Sequence, residues 1–160
     1  MECDIRPINP NETPILKEFL YEAIFQREGD EPAPKSVIEQ PEVAIYIADF
    51  GKEDDSCLVS VVDGRIVGAV WTRILFGEVK GFGNVDEQTP EFAISLYGEY
   101  RGKGIGTALM LAMLKLLREK GYEQTSLAVQ KDNYAVDMYK KVGFSVVGEN
   151  EQEYIMLCKL

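Results

Sequence analysis

The segment RGKGIG at residues 101–106 is the stretch whose residue types and spacing most clearly suggest chemistry. It holds three glycines and two cations, and it leads into the apolar run TALMLAMLKLL. Main-chain N–H groups at the start of a helix have no carbonyl partners within the helix and carry partial positive charge, so they can converge on an anion. Glycine lets such a backbone approach a ligand without a Cβ in the way. The segment is therefore either a structural turn or a cradle for a phosphate.

Other kinds of chemistry are excluded by residues that the sequence lacks. It contains neither the Walker pattern GxxxxGK[ST] nor a dinucleotide GxGxxG in the right setting. It has no histidine, which removes Ser-His-Asp and Cys-His systems and the usual histidine-bearing zinc sites. We expect no metal, and any proton transfer must use Glu, Asp, Tyr, Cys, Lys or water.

The three cysteines, Cys3, Cys57 and Cys158, stand far apart and form no CxxC pair, which favours reduced thiols. Cys57 and Cys158 fall in predicted strands. Simple burial is the ordinary role for cysteine there, and covalent catalysis is the less expected one.

Composition bounds the class of protein and of partner. The 160 residues are 46 % hydrophobic and 28 % charged, which fits one globular domain spanning 1–160. The net charge of −10 disfavours nucleic acid and anionic lipid as partners. The same field attracts a cationic small molecule, although it can also serve only solubility. Without an apolar leader or an 18-residue apolar run, we expect a cytoplasmic protein.

The elements that must position the glycine loop are predicted to form a strand–helix–strand unit. Strand periodicity at 91–98, a helix from about 104 to 120 and a strand at 122–130 predict a parallel pair joined by a right-handed crossover. Antiparallel hairpins at 57–74, turning at Asp63-Gly64, and at 144–160 flank this unit. The fold class is therefore α/β, with a mixed, mostly antiparallel sheet that carries helices on both faces.

The remaining segments are predicted from shorter patterns. Gly68 inside the first hairpin indicates a bulge or a close backbone approach. Thr13 followed by Pro14 predicts the start of a helix within 11–28. We also expect a strand at 4–10, helices at 42–51 and 133–144, and a long loop at 76–90.

A second motif, NYAVDMYKKVGF at 133–144, bears a tyrosine near the glycine loop. Asn133 is a candidate N-cap and Gly143 a candidate left-handed C-terminal residue. Tyr139 falls at the edge of the face formed by Ala135, Met138 and Val142. Its ring either belongs to the core, with its hydroxyl satisfied there, or faces the cleft above the glycine loop.

Together these motifs resemble the GCN5-related N-acetyltransferase (GNAT) superfamily. Its phosphate loop, Gln/Arg-x-x-Gly-x-Gly/Ala, is similar to 101–106. Its later motif, Asn-x-x-Ala-x-x-x-Tyr-x-x-x-Gly-Phe, looks like Asn133, Tyr139 and Gly143-Phe144, although alanine falls at 135, one place early. The specific resemblance covers about 90–148, and many family members have proline where Gly98 stands.

The resemblance implies acetyl-CoA as the acetyl donor. Its diphosphate would be held by the phosphate loop: Arg101, Gly102, Lys103, Gly104, Ile105, Gly106 and Thr107. The edge formed by Leu96, Tyr97 and Gly98 would pair with the pantetheine arm, and Asn133 would bond to that arm or orient its helix. The strands at 91–98 and 122–130 would splay, with the thioester in the gap and a main-chain N–H polarising its carbonyl.

The resemblance also implies catalytic roles. Tyr139 would return a proton to the departing thiolate. Glu91 is the candidate base for the substrate ammonium, unless it is an exposed strand-end carboxylate or a water relay from Asp86 or Glu87 takes that role. The implied activity is N-acetylation of a primary amine on a small molecule, by direct attack in a ternary complex. The alternatives are a protein N-terminal or lysine acetyltransferase and a non-catalytic acyl-CoA sensor.

Recognition of the acceptor is expected from 13–50 and from the loop at 76–90. Six aromatic residues there either line an amine pocket or anchor the core and loops: Tyr21, Phe25, Tyr46, Phe50, Phe76 and Phe82. A homodimer is possible through exchange of the C-terminal hairpin.

Overall fold

The computed structural model describes residues 2–24 and 29–160. Phe25 and the last residues of the helix predicted at 11–28 lie outside these ranges. The strands are β1 (Asp4–Pro7), β2 (Ser56–Val62), β3 (Arg65–Arg73), β4 (Glu91–Leu96), β5 (Gln124–Gln130), β6 (Ser145–Glu149) and β7 (Glu153–Lys159). The α-helices are α1 (Leu16–Ala23), α2 (Pro41–Ala44), α3 (Ile105–Glu119) and α4 (Ala135–Val142), and short 3-10 helices cover Pro10–Ile15, Lys35–Glu39 and Gly98–Tyr100.

One seven-stranded sheet organises the fold, in the order β1-β2-β3-β4-β5-β7-β6. Neighbouring strands are antiparallel except β4 and β5, which are parallel and joined by α3. The predicted mixed sheet with a single strand–helix–strand unit is therefore confirmed. None of the helices in the described part of the chain is both long and apolar enough to cross a membrane.

Helices cover both faces of the sheet because side chains alternate along each strand. One face places Val70 and Phe92 beneath α3, whose Met113 is completely buried. The other face places Ala69 and Trp71 beneath the N-terminal helices. Burying each large side chain of this kind contributes about 1.5–3 kcal/mol. Not every apolar side chain of α3 reaches the core, since Leu111 is 51 % exposed.

The first helical segment begins earlier than the sequence predicts. Glu12 Oε1 accepts a hydrogen bond of 2.8 Å from the Asn9 N–H and another of 2.8 Å from Arg6. This carboxylate fixes the turn at Asn9, and Thr13 lies inside the resulting 3-10 helix, where its hydroxyl donates to the Pro10 carbonyl. The expectation that Thr13 caps the helix is wrong, because an ion pair with a neighbouring strand decides where the turn starts.

The hairpin of β2 and β3 turns at Asp63 and Gly64, which both have positive φ, as its two-residue turn requires. The pairing register shifts between Ser60 and Val61, opposite the glycine at 68. A Cβ at Gly68 would come within 2.1 Å of Leu96 Cδ2. The predicted bulge with close backbone approach is therefore present, and it lets β3 lie tightly against β4.

Strands β4 and β5 separate almost as soon as they meet. Their only register pair among the described residues is Glu91 with Ser126. From there β5 pairs along its whole length with β7, while β4 pairs with β3 up to Leu96. A wedge-shaped gap thus opens between β4 and β5 toward the start of α3.

Candidate functional site

The loop before α3 has the main-chain geometry of an anion cradle. Gly102 and Gly104 have φ values of 74° and 84°, in the left-handed region that favours glycine. Within the described residues, the N–H groups from Gly102 through Thr107 donate to no other main-chain group, and no side chain caps the helix. These N–H groups at a helix start carry partial positive charge and are free to bind an anion.

Arg101 is already engaged at this loop. Its guanidinium lies 3.2 Å from the carboxylate of Glu22 on α1. Both residues line the cleft above the loop, so Arg101 ties α1 to the cradle. The main-chain N–H groups of the loop, unlike this guanidinium, have no partner among the described residues.

The exposed edge of β4 presents main-chain groups to the gap. The Tyr97 N–H donates to the Val67 carbonyl on β3 at 3.0 Å. Since N–H groups alternate in direction along a strand, those of Ile94 and Leu96 point the other way, toward the departed β5. Leu96 is among the residues that the sequence indicates. Ile94 is not, and only the strand register identifies it.

One cleft of about 420 Å³ runs from the glycine loop into the gap. Among the residues that the sequence indicates for the cofactor, those that line it are Leu96, Arg101, Gly102, Gly104, Gly106, Thr107, Asn133 and Tyr139. Four others of this set do not line it: Tyr97, Gly98, Lys103 and Ile105. The Ile105 side chain, at the first position of α3, is buried in the core, and the Tyr97 ring packs on Phe19 with 4.9 Å between centroids.

A second cavity, of about 410 Å³, opens from the gap toward α2 and the loop at 76–90. The two cavities share five lining residues: Ala23, Ile24, Ile94, Asn133 and Tyr139. Two molecules bound side by side would therefore meet where β4 and β5 separate. After the two molecules that the sequence resemblance leads us to expect, we call the first space the cofactor cleft and the second the acceptor cavity.

Tyr139 stands at the junction of the two spaces. Its side chain is 9 % exposed, and its hydroxyl forms no hydrogen bond with any described residue. Burial raises the pKa of Tyr139 to about 12, with a smaller contribution from Tyr134. The phenol is therefore neutral near pH 7 and retains a proton that it can donate.

Asn133 organises the start of α4. Its side-chain Oδ1 accepts from the Ala135 N–H at 2.9 Å, and its own N–H donates to the Gln130 carbonyl at 3.0 Å. The sequence leaves two roles open for Asn133, a bond to the pantetheine arm or orientation of its own helix. These contacts support the second role. They also fix the turn that delivers Tyr139. At the other end of α4, Gly143 has a φ of 118°, the left-handed conformation expected there.

Glu91 is buried at the vertex of the gap, with only 2 % of the residue exposed. The alternative of an exposed strand-end carboxylate is therefore wrong. Its Oε2 accepts from the Tyr46 hydroxyl and, at 3.2 Å, from the Gly83 N–H. Its Oε1 has no hydrogen-bond partner in the described chain.

Burial raises the pKa of Glu91 to about 7. Hydrogen bonds from Tyr46 and Gly83 act in the opposite direction, and the charge of Glu153 raises the pKa further. A carboxyl group with such a pKa exchanges its proton near neutral pH, which is the range a general base requires.

Tyr46 is locked in place by the sheet. The Trp71 indole N–H donates to the Tyr46 carbonyl at 3.0 Å. Arg73 donates to the Ile45 and Ala48 carbonyls at 3.0 and 2.8 Å, and it forms a buried, two-pronged ion pair with Asp55. Because this network holds the backbone on both sides of Tyr46, its hydroxyl meets Glu91 in a fixed position.

The segment Gly81-Phe82-Gly83 closes the wall beside Glu91. The Phe82 N–H donates to the Tyr46 hydroxyl at 2.9 Å. A Cβ at Gly83 would come within 2.5 Å of the Leu127 carbonyl carbon, and one at Gly81 within 2.0 Å of Glu91 Oε1. The sequence indicates this loop and Phe82 for recognition of the acceptor, but it does not pair Gly81 or Gly83 with Glu91 and β5. Two glycines within a long loop were a usable signal of this close approach.

The aromatic residues indicated for the acceptor pocket divide among several roles. Tyr46 and Phe82 line the acceptor cavity, whereas Tyr21 lines the cofactor cleft. Phe50 packs in the core beneath Arg73, and Phe76 is half exposed. Phe25 lies outside the described residues.

The alternative catalytic groups lie elsewhere. Asp86 and Glu87 line neither space, and hydrogen bonds around Thr89 lower the pKa of Asp86. Cys57 and Cys158 are buried, and burial raises the pKa of Cys57 to about 12. A thiol held neutral and away from both spaces is a poor nucleophile.

Comparison with known proteins places the chain in a family. Residues 20–144 match the model of the Acetyltransferase (GNAT) family. An N-alpha-acetyltransferase of Sulfurisphaera tokodaii is 33 % identical over 126 residues, which cover 72 % of this chain and 75 % of that protein. A mycothiol acetyltransferase of Saccharomonospora viridis is 36 % identical over 104 residues, or 63 % of this chain and 33 % of that protein. The chain thus spans only a third of the length of the second relative.

Solved structures show the same fold. The PaiA N-acetyltransferase of Thermoplasma acidophilum, in complex with coenzyme A, superposes with a TM-score of 0.69 at 22 % identity and covers both chains completely. The ribosomal-protein-S18-alanine N-acetyltransferase of Escherichia coli gives a TM-score of 0.69 at 16 % identity, over 99 % of this chain and 94 % of that one. As the two sequence motifs predict, the chain belongs to the acetyltransferase (GNAT) family.

Proposed function

We propose that this protein transfers an acetyl group from acetyl-CoA to a primary amine of a small molecule, by direct attack in a ternary complex. The observation that carries the proposal is the meeting of two spaces at Tyr139. One begins at an anion cradle, and the other ends at a buried carboxyl group. A donor and an acceptor bound in them would touch in the gap between β4 and β5.

The cofactor cleft suits an acyl-CoA. The N–H groups from Gly102 to Thr107 would hold its diphosphate. The unpaired main-chain groups of Ile94 and Leu96 would pair with the pantetheine arm as an added strand does. The coenzyme A complex of the Thermoplasma acidophilum protein, which shares this fold, supports the assignment.

Glu91 is the group that we assign to the acceptor's proton. A free alkylammonium has a pKa near ~10, whereas Glu91 has a pKa of about 7, so direct proton transfer in water would be uphill. Desolvation in the acceptor cavity lowers the pKa of the ammonium and reduces this cost. The amine nitrogen freed in this way attacks the thioester carbonyl.

Charge that develops on the thioester oxygen would be stabilised by a main-chain N–H of Ile94 or Leu96. When the carbon–sulfur bond breaks, Tyr139 would donate its proton to the thiolate. As the amide forms, the attacking nitrogen loses a second proton, which restores the Tyr139 phenol. The proton taken by Glu91 leaves to water, so that one ammonium and one thioester yield one amide, one thiol and one proton.

A protein amino terminus is a second candidate acceptor. It is favoured by the N-alpha-acetyltransferase relative, whose match covers most of both chains. Large apolar side chains that are exposed on the loop at 76–90, beside the acceptor cavity, would also suit a peptide: Phe76, Val79, Phe82 and Val85.

Turnover distinguishes these functions. The protein is incubated with acetyl-CoA and either small amines or peptides with free amino termini, while released thiol is measured. We expect thiol release with small amines, whereas release with peptides alone would assign the second function. Tight binding of coenzyme A without turnover of any amine or peptide would indicate a non-catalytic sensor and contradict the proposal.

A further inference from the structure

The two spaces differ in the sign of the charged residues that line them. The cofactor cleft has Arg101 and Glu22, which neutralise each other, next to the cationic N–H cradle. In the acceptor cavity the charged residues that the structure describes are Glu91 and Glu153. None of the described lining residues is a cation, so the charges that the described part of this cavity offers to an entering group are those of two carboxyl groups.

The two carboxylates lie on one face of the sheet. Glu91 pairs with Ser126, and Glu153 pairs with Gln130, four residues further along β5. Paired residues and residues an even number apart share a face, so all four side chains point toward α1 and α2. At ~3.3 Å per residue, the two glutamates are offset by about 13 Å along the strands.

Glu153 is held in place by its backbone. Its N–H donates to the Asn150 side chain at 2.8 Å, and its carbonyl accepts from the Asn150 N–H at 3.0 Å. The nearby Lys131 is engaged on the other face, 2.5 Å from Glu149 and over the Tyr154 ring. Glu153 lines the cavity and forms no ion pair with another described residue.

Glu91 supplies a second and independent sign of a ligand. It is almost completely buried and lines the same cavity, and its Oε1 lacks a partner in the described chain. Leaving such an atom unsatisfied costs about 1–3 kcal/mol unless a ligand or water bonds to it. Two carboxylates alone make a poor cage for a metal ion, which needs more oxygen ligands. Ammonium groups are the cations that fit both the charge and the proposed chemistry.

We infer that Glu153 is the specificity-determining residue for a second positive charge on the acceptor, and that the substrate class is a diamine or polyamine. This inference rests on the proposed function. The reacting ammonium lies at Glu91 and loses its proton there, while the distal ammonium stays charged and pairs with Glu153. An acceptor with a carboxylate or phosphate near its amine is disfavoured by both glutamates.

The test compares each diamine with the monoamine of equal carbon number. With saturating acetyl-CoA at low ionic strength, kcat/KM is measured from thiol release for 1,4-diaminobutane against n-butylamine and for 1,6-diaminohexane against n-hexylamine. We expect at least one diamine to be preferred by about tenfold, beyond the twofold that two equivalent amines provide, because a partly buried ion pair stabilises its complex.

Two variants locate the effect. Glu153→Gln should abolish the preference for the diamine, so that kcat/KM for the diamine falls to that for the monoamine measured with the same variant. Glu151→Gln removes the same charge from an exposed position in the same turn and should keep the preference. Circular dichroism and the affinity for coenzyme A confirm that both variants are folded.

The outcomes separate the inference from the proposed function. Equal kcat/KM for diamines and monoamines, or an equal loss for both in Glu153→Gln, overturns the inference and leaves the acetyltransferase assignment intact. The absence of thiol release from every amine, with coenzyme A still bound, overturns the proposed function and the inference with it.

Discussion

The Tyr46 hydroxyl donates a hydrogen bond to Glu91 Oε2 across 45 residues of sequence, and it accepts one from the Phe82 N–H. One phenol thus joins the segment after α2, the loop at 76–90 and the start of β4. Because a hydrogen bond to the charged form of a carboxyl group favours ionisation, this contact limits how far burial raises the pKa of Glu91.

Replacing Tyr46 by phenylalanine tests this relationship. Loss of the donor should raise the pKa of Glu91, and the acidic limb of the kcat/KM profile should move to higher pH by about one unit, since a bond to a charged group is worth ~1.5–3 kcal/mol. Tyr122→Phe is the control, because it removes a phenol–carboxylate bond of 2.5 Å to Asp54 away from both spaces. An unshifted profile in Tyr46→Phe would separate the phenol from the titrating group.

Glu91→Gln should change the way stability depends on pH. The carboxyl group has an ordinary pKa of 4.5 when unfolded and about 7 in the folded protein. Between these values the folded state binds the extra proton, so the free energy of unfolding falls as pH rises, by up to about 3 kcal/mol. Glutamine does not titrate, so the free energy of unfolding of Glu91→Gln does not include this decrease.

The melting temperature of Glu91→Gln, relative to that of the unmodified protein, should therefore rise between pH 5 and pH 8. Glu151→Gln, at an exposed turn position, should show no such trend. If the melting-temperature difference between Glu91→Gln and the unmodified protein stays constant or narrows as pH rises, Glu91 titrates in its ordinary range.

Tyr139→Phe should lower kcat by roughly 10²–10⁴-fold while leaving the affinity for coenzyme A unchanged, because the ring keeps its packing and only the proton is lost. Since the pKa of Tyr139 is about 12, this defect should be constant between pH 6 and pH 9. Tyr134→Phe, an exposed phenol lining the same cleft, is the matched control. A kcat in Tyr139→Phe equal to that of the control would remove the proton-donor role.

Gly104→Ala should weaken binding of coenzyme A about tenfold, as measured by calorimetry. Its φ of 84° costs an alanine about 1–2 kcal/mol, so the loop would leave the cradle conformation. Gly98→Ala is the control, because a Cβ there meets nothing within 4 Å and its φ lies outside the left-handed region. Equal affinities for the two variants would show that the cradle does not hold the cofactor.

The parts of the fold that follow local rules were predictable from sequence. Asp63-Gly64 requires a tight hairpin turn, and strand periodicity ending in a glycine loop and an apolar helix requires a crossover unit. Gly68 likewise predicts the close approach of β3 and β4, because a residue without a side chain within a strand can be recognised from the sequence alone.

The parts that depend on distant contacts were not predictable. The burial of Glu91 depends on Tyr46 and on the loop at 76–90, and no local pattern pairs them. The run VAIYI at 43–47 is compatible with a strand or a helix, and Trp71 and Arg73 fix its actual path by binding its carbonyls. Ile94 differs from its neighbours only in the direction of its main-chain groups, which depends on the register between strands.

Gly83 offers the sharpest test of how the loop at 76–90 shapes the site. A Cβ at this position would lie 2.5 Å from the Leu127 carbonyl carbon and 2.6 Å from the Ala128 nitrogen, and neither backbone atom can yield as a flexible side chain would. In Gly83→Ala the loop must move away from β5 and withdraw its N–H from Glu91. We expect a loss of stability of about 1–3 kcal/mol and a larger increase in KM for the amine than in the dissociation constant of coenzyme A.

Gly148→Ala, whose Cβ would meet Ile155 at an ordinary 3.8 Å, is the control. If Gly83→Ala keeps the KM of this control, the loop does not form the wall of the acceptor cavity, and recognition of the amine must depend on α1 and α2 instead.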